Sequence, residues 1–552
     1  MSVHKDLEKT SAASTAASGG PDVRQGEVEI ANYLDAGIKR GLKSRHIQMI
    51  ALGGSIGTGL FVASGTVLAT SGPLALLLGY IIMSVVVWSV VSILAEMTTY
   101  LPLKGSTVPY LINRYLDPSL AFAAGWNYWF ALTILVPVEV NAAGLVIQYW
   151  TSSVNIGVWI TIFLVVIIGL NLFGVELYGE SEFWFCSIKF FTIVGLLILS
   201  VVIFFGGVPN SHGVLGFHYW KHPGAVNEYL VSGNTGRFLA VWSAICKSAL
   251  AFVFAPELLI TTAGEVKSPR RNIPKAATRF AWRLIFFYVL STLAIGVIIP
   301  SNDKQLLGAI NAGDSTGAAS PFVAAILQSG IHGLDSVINA VILTSAWSSG
   351  NAWLYASSRN LYTLALEGHA PRIFARTTKK GNPYAAVLVT SLFSSLAYLT
   401  CSSTGITVFN WFTSLATISG LIAWIIVYFT FLRFRAACKY RGIIDSLPFK
   451  AGLQPYISWF GIVISALVTI FNGFYVFFPG HWNTSSFFTA YISIPIFLVF
   501  YIPHKIYYRT PMWIPLELID VLTGKEEMDQ LEAEDEPRVA RNWAEKVWFW
   551  VA

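Results

Sequence analysis

The chain has 552 residues, 55% of them hydrophobic and only 12% charged, where an ordinary globular domain carries about 25% charged residues; a water-solvated fold for most of the molecule is excluded. Its net charge of +6 does not point to nucleic acid, because the basic residues sit in short clusters between apolar runs, as the positive-inside rule expects of cytoplasmic loops. The four cysteines, Cys186, Cys246, Cys401 and Cys438, lie in or beside apolar segments without disulfide or metal spacing, so their expected role is buried packing.

Residues 1–45 are polar and rich in Ser, Ala and Gly, with no apolar core and cleavage site of a secretory signal; they read as a disordered cytoplasmic tail. Apolar runs of about 20 residues, enough to cross a hydrocarbon core of about 30 Å, then recur from Ile47 to Ile506. They predict spans at 48–70, 74–100, 119–150, 156–173, 184–206, 240–264, 280–300, 334–362, 384–400, 406–432, 456–478 and 484–507. The result is an all-α membrane protein with one transmembrane domain over 46–507. Basic clusters at Lys39 to Arg45, Lys267 to Lys275, Arg372 to Lys380 and Arg433 to Arg441 fall on alternate connections, which places both termini in the cytoplasm. The long outer connection, 207–239, holds His212, His218 and His222 but lacks carboxylates or cysteines at ligand spacing, and no metal is expected. Residues 508–552 form a soluble tail with an acidic stretch from Glu526 to Glu536 and an aromatic end from Trp543 to Trp550; that end suits either the membrane interface or packing against the inner loops.

Two segments carry the chemistry. The first span contains Gly53-Gly54-Ser55-Ile56-Gly57-Thr58-Gly59, whose four glycines penalise a continuous helix and let backbone approach a ligand. A break at membrane depth must line a cavity, where the N–H groups of Ile56 to Gly59 and the positive end of the next half-helix suit a carboxylate. Glycines in a membrane helix also serve as plain packing surfaces, but a second break alters the balance. In the sixth span, Phe254-Ala255-Pro256-Glu257 sets a proline and a carboxylate in mid-membrane, where proline is expected to free a carbonyl for a substrate ammonium or imino group. Interruptions in the first and sixth spans occupy corresponding positions of two five-helix halves, the pattern of a transporter site between inverted repeats.

Intramembrane charge is costly, so Glu96, Glu139, Lys189, Lys247 and Glu257 each need a cavity or a partner. Lys247, Phe254 and Glu257 fall at spacings of seven and three, one face of a continuous sixth helix; Lys247 suits that pocket or a position snorkelling to the interface. Glu139, after Pro137 in the third span, and Lys189, in the fifth, are the two candidates to exchange a coupling proton, unless they form static buried pairs. Glu96, near the cytoplasmic end of the second span, reads as a structural anchor.

With these residues in view, the sequence from Gly41 to Lys525 resembles the yeast-type amino-acid transporters of the amino acid-polyamine-organocation superfamily. The landmarks are GGSIGTGLFV (Gly53–Val62), PVEV (Pro137–Val140), AGE (Ala263–Glu265), SPRRNIPKA (Ser268–Ala276) and FNWF (Phe409–Phe412). Within that family it looks most like the proline permeases, through PELL (Pro256–Leu259), LTSAWSSGNAWLYASSR (Leu343–Arg359) and LPFKAGLQPY (Leu447–Tyr456). Where general amino-acid permeases usually have Gly-Thr-Glu in span six, this chain has Ala255-Pro256-Glu257, which suits a small or secondary-amine substrate. The resemblance implies twelve spans, a five-plus-five inverted repeat with broken helices 1 and 6 plus two extra helices. It also implies proton symport of proline or a related small neutral amino acid across a fungal plasma membrane by alternating access, with the proton as coupling ion and no cofactor.

By the same resemblance, Gly57, Thr58 and Gly59 would hold the substrate carboxylate and Ala255 with nearby carbonyls its amine, with Ser55, Ile56 and Glu257 also in the substrate site. Glu139, Lys247, Phe254 and Trp353 would shape the pocket and gates. Lys189 is similar to a span-five lysine that stands in for sodium in related transporters. Lys5, Lys9, Lys39 and Lys43 would be ubiquitin acceptors, making a ubiquitin ligase and its adaptor partners beside substrate, protons and membrane lipids. Many relatives end in Phe-Trp-Cys, a lipidation site; this chain reads Phe549-Trp550-Val551-Ala552, so lipidation there is not expected. The competing functions are a permease for 4-aminobutyrate or a broader set of neutral amino acids, and an amino-acid sensor of the same fold. An enzyme is not expected, since HExxH and P-loop motifs are lacking and the GxSxG of Gly53–Gly57 lies inside a predicted membrane helix.

Overall fold

The structure is a computed structural model that describes residues 49, 53–54, 56–102, 107–151, 153–173, 175–210, 213–263, 268–311, 320–401, 405–533 and 542–543, among which there is no strand. The N-terminal tail, with Lys5, Lys9, Lys39 and Lys43, and the pocket candidate Ser55 lie outside the described residues.

The first apolar helix, α1 (Gly59–Ser71), opens with a π-helical turn and stops at Gly72, whose φ of 87° is open to glycine at no steric cost. It is followed at once by α2 (Pro73–Tyr100), a short amphipathic α3 (Val108–Tyr115), α4 (Pro118–Ile147) and α5 (Ile156–Leu172). Asp117 and Asn155 cap the last two by accepting from the Ser119 and Gly157 N–H at 3.0 and 2.8 Å, satisfying orphan donors of the first turn. Next come α6 (Val175–Phe204), then two collinear pieces of the expected sixth span, α7 (Gly233–Ser248) and α8 (Ala255–Ala263), and α9 (Pro269–Ile298). Two short helices, α10 (Lys304–Asn311) and α11 (Pro321–Gln328), precede α12 (Leu334–Leu366). The chain continues through α13 (Tyr384–Ser394), α14 (Gly405–Tyr440) and α15 (Tyr456–Phe471) to the bent pair α16 (Thr484–Tyr491) and α17 (Ser493–Tyr508), and ends in α18 (Lys525–Ala533). Helices α2, α4, α9 and α11 each begin on proline, whose missing N–H has no partner to lose in a first turn.

Among the described residues, seven helices are long and apolar enough to cross a membrane, or eight if the pair α16 and α17, bent by 43°, counts as one. The face that α6 turns outward shows what solvates it. Trp184, Phe191 and Ile198 recur every seventh residue and are exposed, whereas Glu182, Cys186 and Lys189 on the opposite face are buried. A helix with apolar residues outside and charges inside inverts the pattern of a water-soluble protein. Helix starts differ from the apolar runs: α6 begins at Val175 rather than 184, α9 at Pro269 rather than 280, and α14 runs to Tyr440 rather than 432. Hydropathy marks only the part of a helix suited to hydrocarbon, and these helices continue through polar turns beyond it.

The most extensive pairings are α4 with α12 and α2 with α9, and they put α4 and α12 at the centre of the bundle. At one end of it, the segment after α17 folds back. The Ile514 N–H donates to the Leu116 carbonyl (3.0 Å), Tyr100 donates to the Val521 carbonyl (2.7 Å) and Arg114 pairs with Asp520 (3.1 Å). Arg270 pairs with Asp529 and with Glu532 (3.0 Å). Ile519, Val521 and Met528 are buried in these contacts, so much of the C-terminal segment is packed against the bundle instead of solvated throughout. Glu96, at the same end of α2, accepts from Arg435 (2.9 Å) and the Ala451 N–H (2.6 Å), tying α2 to α14.

Candidate functional site

The site is built from two breaks in backbone. In the first span, Gly53 and Gly54 are helical, Ile56 and Gly57 form a bend, and helix resumes at Thr58. The carbonyls that the bend removes from helical pairing are taken by side chains: Ser345 donates to Ile56 (2.9 Å), Lys189 to Gly53, and Tyr80 to Gly59 (3.0 Å). Broken backbone at membrane depth needs such partners. In the sixth span, α7 tightens into a 3₁₀ turn at Ala249–Ala251 and the chain turns at Phe252 to Phe254 before α8 starts. Phe254 adopts a φ of 64°, a conformation that costs a bulky side chain on the order of 1–3 kcal/mol and persists only where surroundings impose it. Its ring is held against Tyr128 at 5.9 Å between centroids.

These breaks touch. A Cβ on Gly59 would lie 2.8 Å from the Ala251 Cα, and one on Gly54 would lie 2.3 Å from the Leu258 side chain. Glycine is therefore required at Gly59 by contact with the backbone of the other broken span, while at Gly54 a side chain would have to displace Leu258. Between them is a small cavity lined by Gly54, Thr58, Gly59, Glu139, Ala251 and Trp353, among others. Thr58, Glu139 and Trp353 are buried.

Glu139, carried on α4 next to Pro137, lies in the bend of the first span. It accepts from the Thr58 hydroxyl at 3.2 Å, and a Cβ on Gly57 would stand 2.6 Å from its Oε1 and 2.9 Å from the Ser349 hydroxyl. A carboxylate thus occupies the backbone-lined end where a substrate carboxylate was expected, and it belongs to the protein. On the far side of Ser349 is Lys189, which donates to that hydroxyl at 3.2 Å as well as to the Gly53 carbonyl. Below Lys189 on the same face of α6 is Glu182, fully buried, accepting from Ser348 (2.9 Å) and Asn351 (2.8 Å). Neither Glu182 nor the serine pair stood out in the sequence. Glu182 precedes the apolar run, but its spacing of four and seven from Cys186 and Lys189 marks a shared face, and Ser348-Ser349-Gly350-Asn351 is one of two polar runs in α12, the other being Ser357-Ser358-Arg359-Asn360.

Two expectations about the sixth span need correction. Pro256 does not interrupt a helix; it occupies the first turn of α8, where its missing N–H is tolerated, and the turn lies just before it. The Ala255 N–H bonds the Phe252 carbonyl (3.2 Å). Because the helix breaks between Ser248 and Ala255, the spacing that put Lys247, Phe254 and Glu257 on one face does not apply, and the three part company. Lys247 donates to Thr70 (3.1 Å) at the last turn of α1 and stands 5.7 Å from the Tyr229 ring centroid, away from the cavity lining. Glu257 accepts through Oε1 from Tyr128 (3.2 Å) and Trp424 (2.8 Å). Phe254 and Ala255 are buried in the turn behind Val253, which does line the cavity. The structure therefore brings together Ile56, Gly57, Thr58, Gly59, Glu139, Lys189 and Trp353, and sets Lys247 and Glu257 apart. Among the described residues, no group of three or more His, Cys, Asp or Glu side chains is arranged to hold a metal.

Residues 46–513 match the amino acid permease family. The proline-specific permease of Emericella nidulans is 52% identical over 533 residues, 97% of this chain and 96% of that protein. The probable proline-specific permease of Schizosaccharomyces pombe is 51% identical over 502 residues, 90% of each. A solved structure of a manganese transporter from Eremococcus coleocola shares the fold, with a TM-score of 0.52 at 14% identity, over 84% of this chain and 93% of that one.

Proposed function

Because the chain belongs to the amino acid permease family, we propose that it imports proline, or a closely related small neutral amino acid, across the plasma membrane by alternating access and in symport with protons. Transport rather than catalysis is the function, and both termini face the cytoplasm. Twelve spans arranged as two inverted five-helix repeats and two further helices account for the pairings. Spans two and seven (α2, α9) pack together, as do three and eight (α4, α12) and four and nine (α5, α13), and the broken first and sixth spans meet at Gly59 and Ala251. These four pairs, one with six, two with seven, three with eight and four with nine, are the ones that two inverted halves would bring together.

The observation that carries the reading is the Glu139 carboxyl seated at the bend of the first span, hydrogen-bonded by Thr58. The N–H groups there and the start of α1 offer one anion site. A zwitterionic substrate presenting its carboxylate to Gly57 to Gly59 meets Glu139 already in place, and two anions cannot share those donors at hydrogen-bond distance. Substrate binding then calls for Glu139 to take a proton, which couples a proton to the substrate without a metal or a sodium ion. Lys189 supplies a basic side chain beyond Ser349. Trp353, Ala251 and Val253 line the cavity, which widens in the transport cycle to admit a compact ring.

The test is radiolabelled proline uptake in cells lacking their own permeases, with a panel of competing amino acids and with a protonophore. Uptake of proline that a protonophore abolishes is expected; uptake that survives it removes proton symport, and proline failing to enter while 4-aminobutyrate does removes the substrate.

A further inference from the structure

We propose that Glu182 is a further proton-carrying residue of the transport cycle, the inner station to which the coupling proton passes from the cavity by way of Ser349 and Lys189. The inference rests on the proton-symport reading and adds the residue that the reading leaves without work.

A file of exchangeable groups runs from the cavity into α6, joined at its middle step by the Ser349–Lys189 hydrogen bond and at its two ends by shared contact with Gly57 and Gly53. The Glu139 Oε1 and the Ser349 hydroxyl converge on Gly57, at 2.6 and 2.9 Å from the place of its absent Cβ. Ser349 is bonded to Lys189 at 3.2 Å, and Lys189 also holds the Gly53 carbonyl. Gly53 in turn abuts Glu182, whose Oε2 would be 3.5 Å from a Cβ at that position. Glu182 and Lys189 thus flank one glycine of the broken span, seven residues apart on one face of α6, about 10 Å along the axis at the backbone, a gap that closes when both side chains extend toward each other. The charged and titratable groups acting on Glu182 are limited. Lys189 is the one that acts on it directly, while Cys186 lies between them on α6 and Arg283 of α9 acts on Cys186. From α12 the neutral donors Ser348 and Asn351 bond it. Asn351 continues through Asn171 (2.8 Å) to Asn382, which donates to the Asn171 carbonyl (2.6 Å) in the connection before α13. A polar seam therefore leads from Glu182 to a loop that carries Lys379 and Lys380 on the basic side.

The steps balance as proton transfers. The O–H bond of protonated Glu139 breaks and an N–H bond forms on neutral Lys189, with the Ser349 hydroxyl as bridge, leaving a carboxylate and an ammonium. The ammonium then gives a proton to the Glu182 carboxylate, restoring neutral Lys189 and forming a carboxylic acid, which releases the proton to water when the inner side opens. A buried carboxylate fully bonded by neutral donors, one turn-pair from a buried amine, suits an acceptor better than a lone anchor, because an anchor of α6 to α12 needs no charge.

The experiment uses the full chain in proteoliposomes, with proline as substrate and two readouts: accumulation driven by an imposed proton gradient, and proline/proline exchange, which moves no net proton. Glu182→Gln keeps the shape and the capacity to bond Ser348 and Asn351. It is expected to leave exchange near parental level while accumulation falls at least about tenfold, the scale of losing a positioned proton carrier. Parental accumulation by Glu182→Gln overturns the proposal, as does equal loss of both readouts. Asn351→Ala removes a hydrogen bond and no charge; if it reproduces the split between exchange and accumulation, Glu182 is a scaffold and the proposal fails. Should Glu182→Gln not reach the membrane, Glu182→Asp is read instead, with a displaced pH profile of accumulation expected and an unmoved profile decisive against. If the parental protein itself shows no gradient-driven accumulation, it is proton symport that fails, a result distinct from any of these.

Discussion

The break in the first span is made of glycine and handled by charge; the break in the sixth is made of bulky residues and handled by neutral donors. Around Gly53 to Gly59 the partners are Glu139, Lys189 and the hydroxyls of Thr58, Ser345 and Ser349. Around Phe252 to Glu257 they are the hydroxyls of Tyr288, on the Ala251 carbonyl at 3.0 Å, and Tyr128, and the indole of Trp424. The first break can respond to a proton and an anion. The second can respond to the shape of what lies against Val253 and the rings behind it. The two breaks thus divide one site into an electrostatic wall and a steric one.

The sharpest way to break that division is to fill the first wall. Gly57→Val and Gly59→Val insert side chains where Glu139 and the Ala251 backbone already stand. Uptake is expected to fall by about 100-fold or more, since displacing a site by about 1 Å costs that much, with the protein still at the cell surface. Retained transport in either variant would show that the breaks do not need to touch. Glu139→Gln comes next: it keeps a group for Thr58 to bond but removes the exchangeable proton. Uptake is expected to drop about tenfold or more and to lose its dependence on external pH, whereas a parental pH profile would assign the coupling elsewhere.

A smaller effect is expected at the steric wall. Phe254→Ala removes the ring that packs on Tyr128 and lies against Gly420, without adding or removing charge. The apparent affinity for proline is expected to weaken about fivefold, the scale of a lost apolar contact in a specificity pocket, while larger neutral amino acids begin to compete. The pH profile should stay put. A shift in pH profile without a change in competition would mean that the two walls are not separate.

The asymmetry also explains what could be read from the sequence. The first break was legible because glycine acts through local backbone freedom, which is written at the residue itself, and Glu139 and Lys189 because charge in an apolar run demands a reason. The sixth break was located one turn late. Proline is a visible breaker, but the turn is imposed at Phe252 to Phe254 by packing from α4, α9 and α14, which no local signal at Phe254 announces. Glu182 and Ser349 stayed hidden for a related reason: each gains meaning from a partner more than 130 residues away on another helix. The membrane character was legible throughout, since it depends on the composition of each run alone, whereas the helix ends were not, because α6, α9 and α14 continue through polar turns beyond the apolar runs.

Lys247 gives the finest test, because spacing on an unbroken helix put it in the pocket and the break takes it out. It bonds Thr70 at the last turn of α1 and lies by the Tyr229 ring, so it joins the outward pieces of the first and sixth spans to the connection above them. An ammonium over a ring contributes about 0.5–1 kcal/mol at such a site, enough to set how readily those pieces part but too little to define a substrate. Lys247→Met, which keeps the stem and drops the charge, is therefore expected to change the maximal uptake rate by about threefold with the competition panel unaltered. If the panel changes instead, the cation reaches substrate at some stage of the cycle, and the electrostatic wall extends from the first span into the sixth.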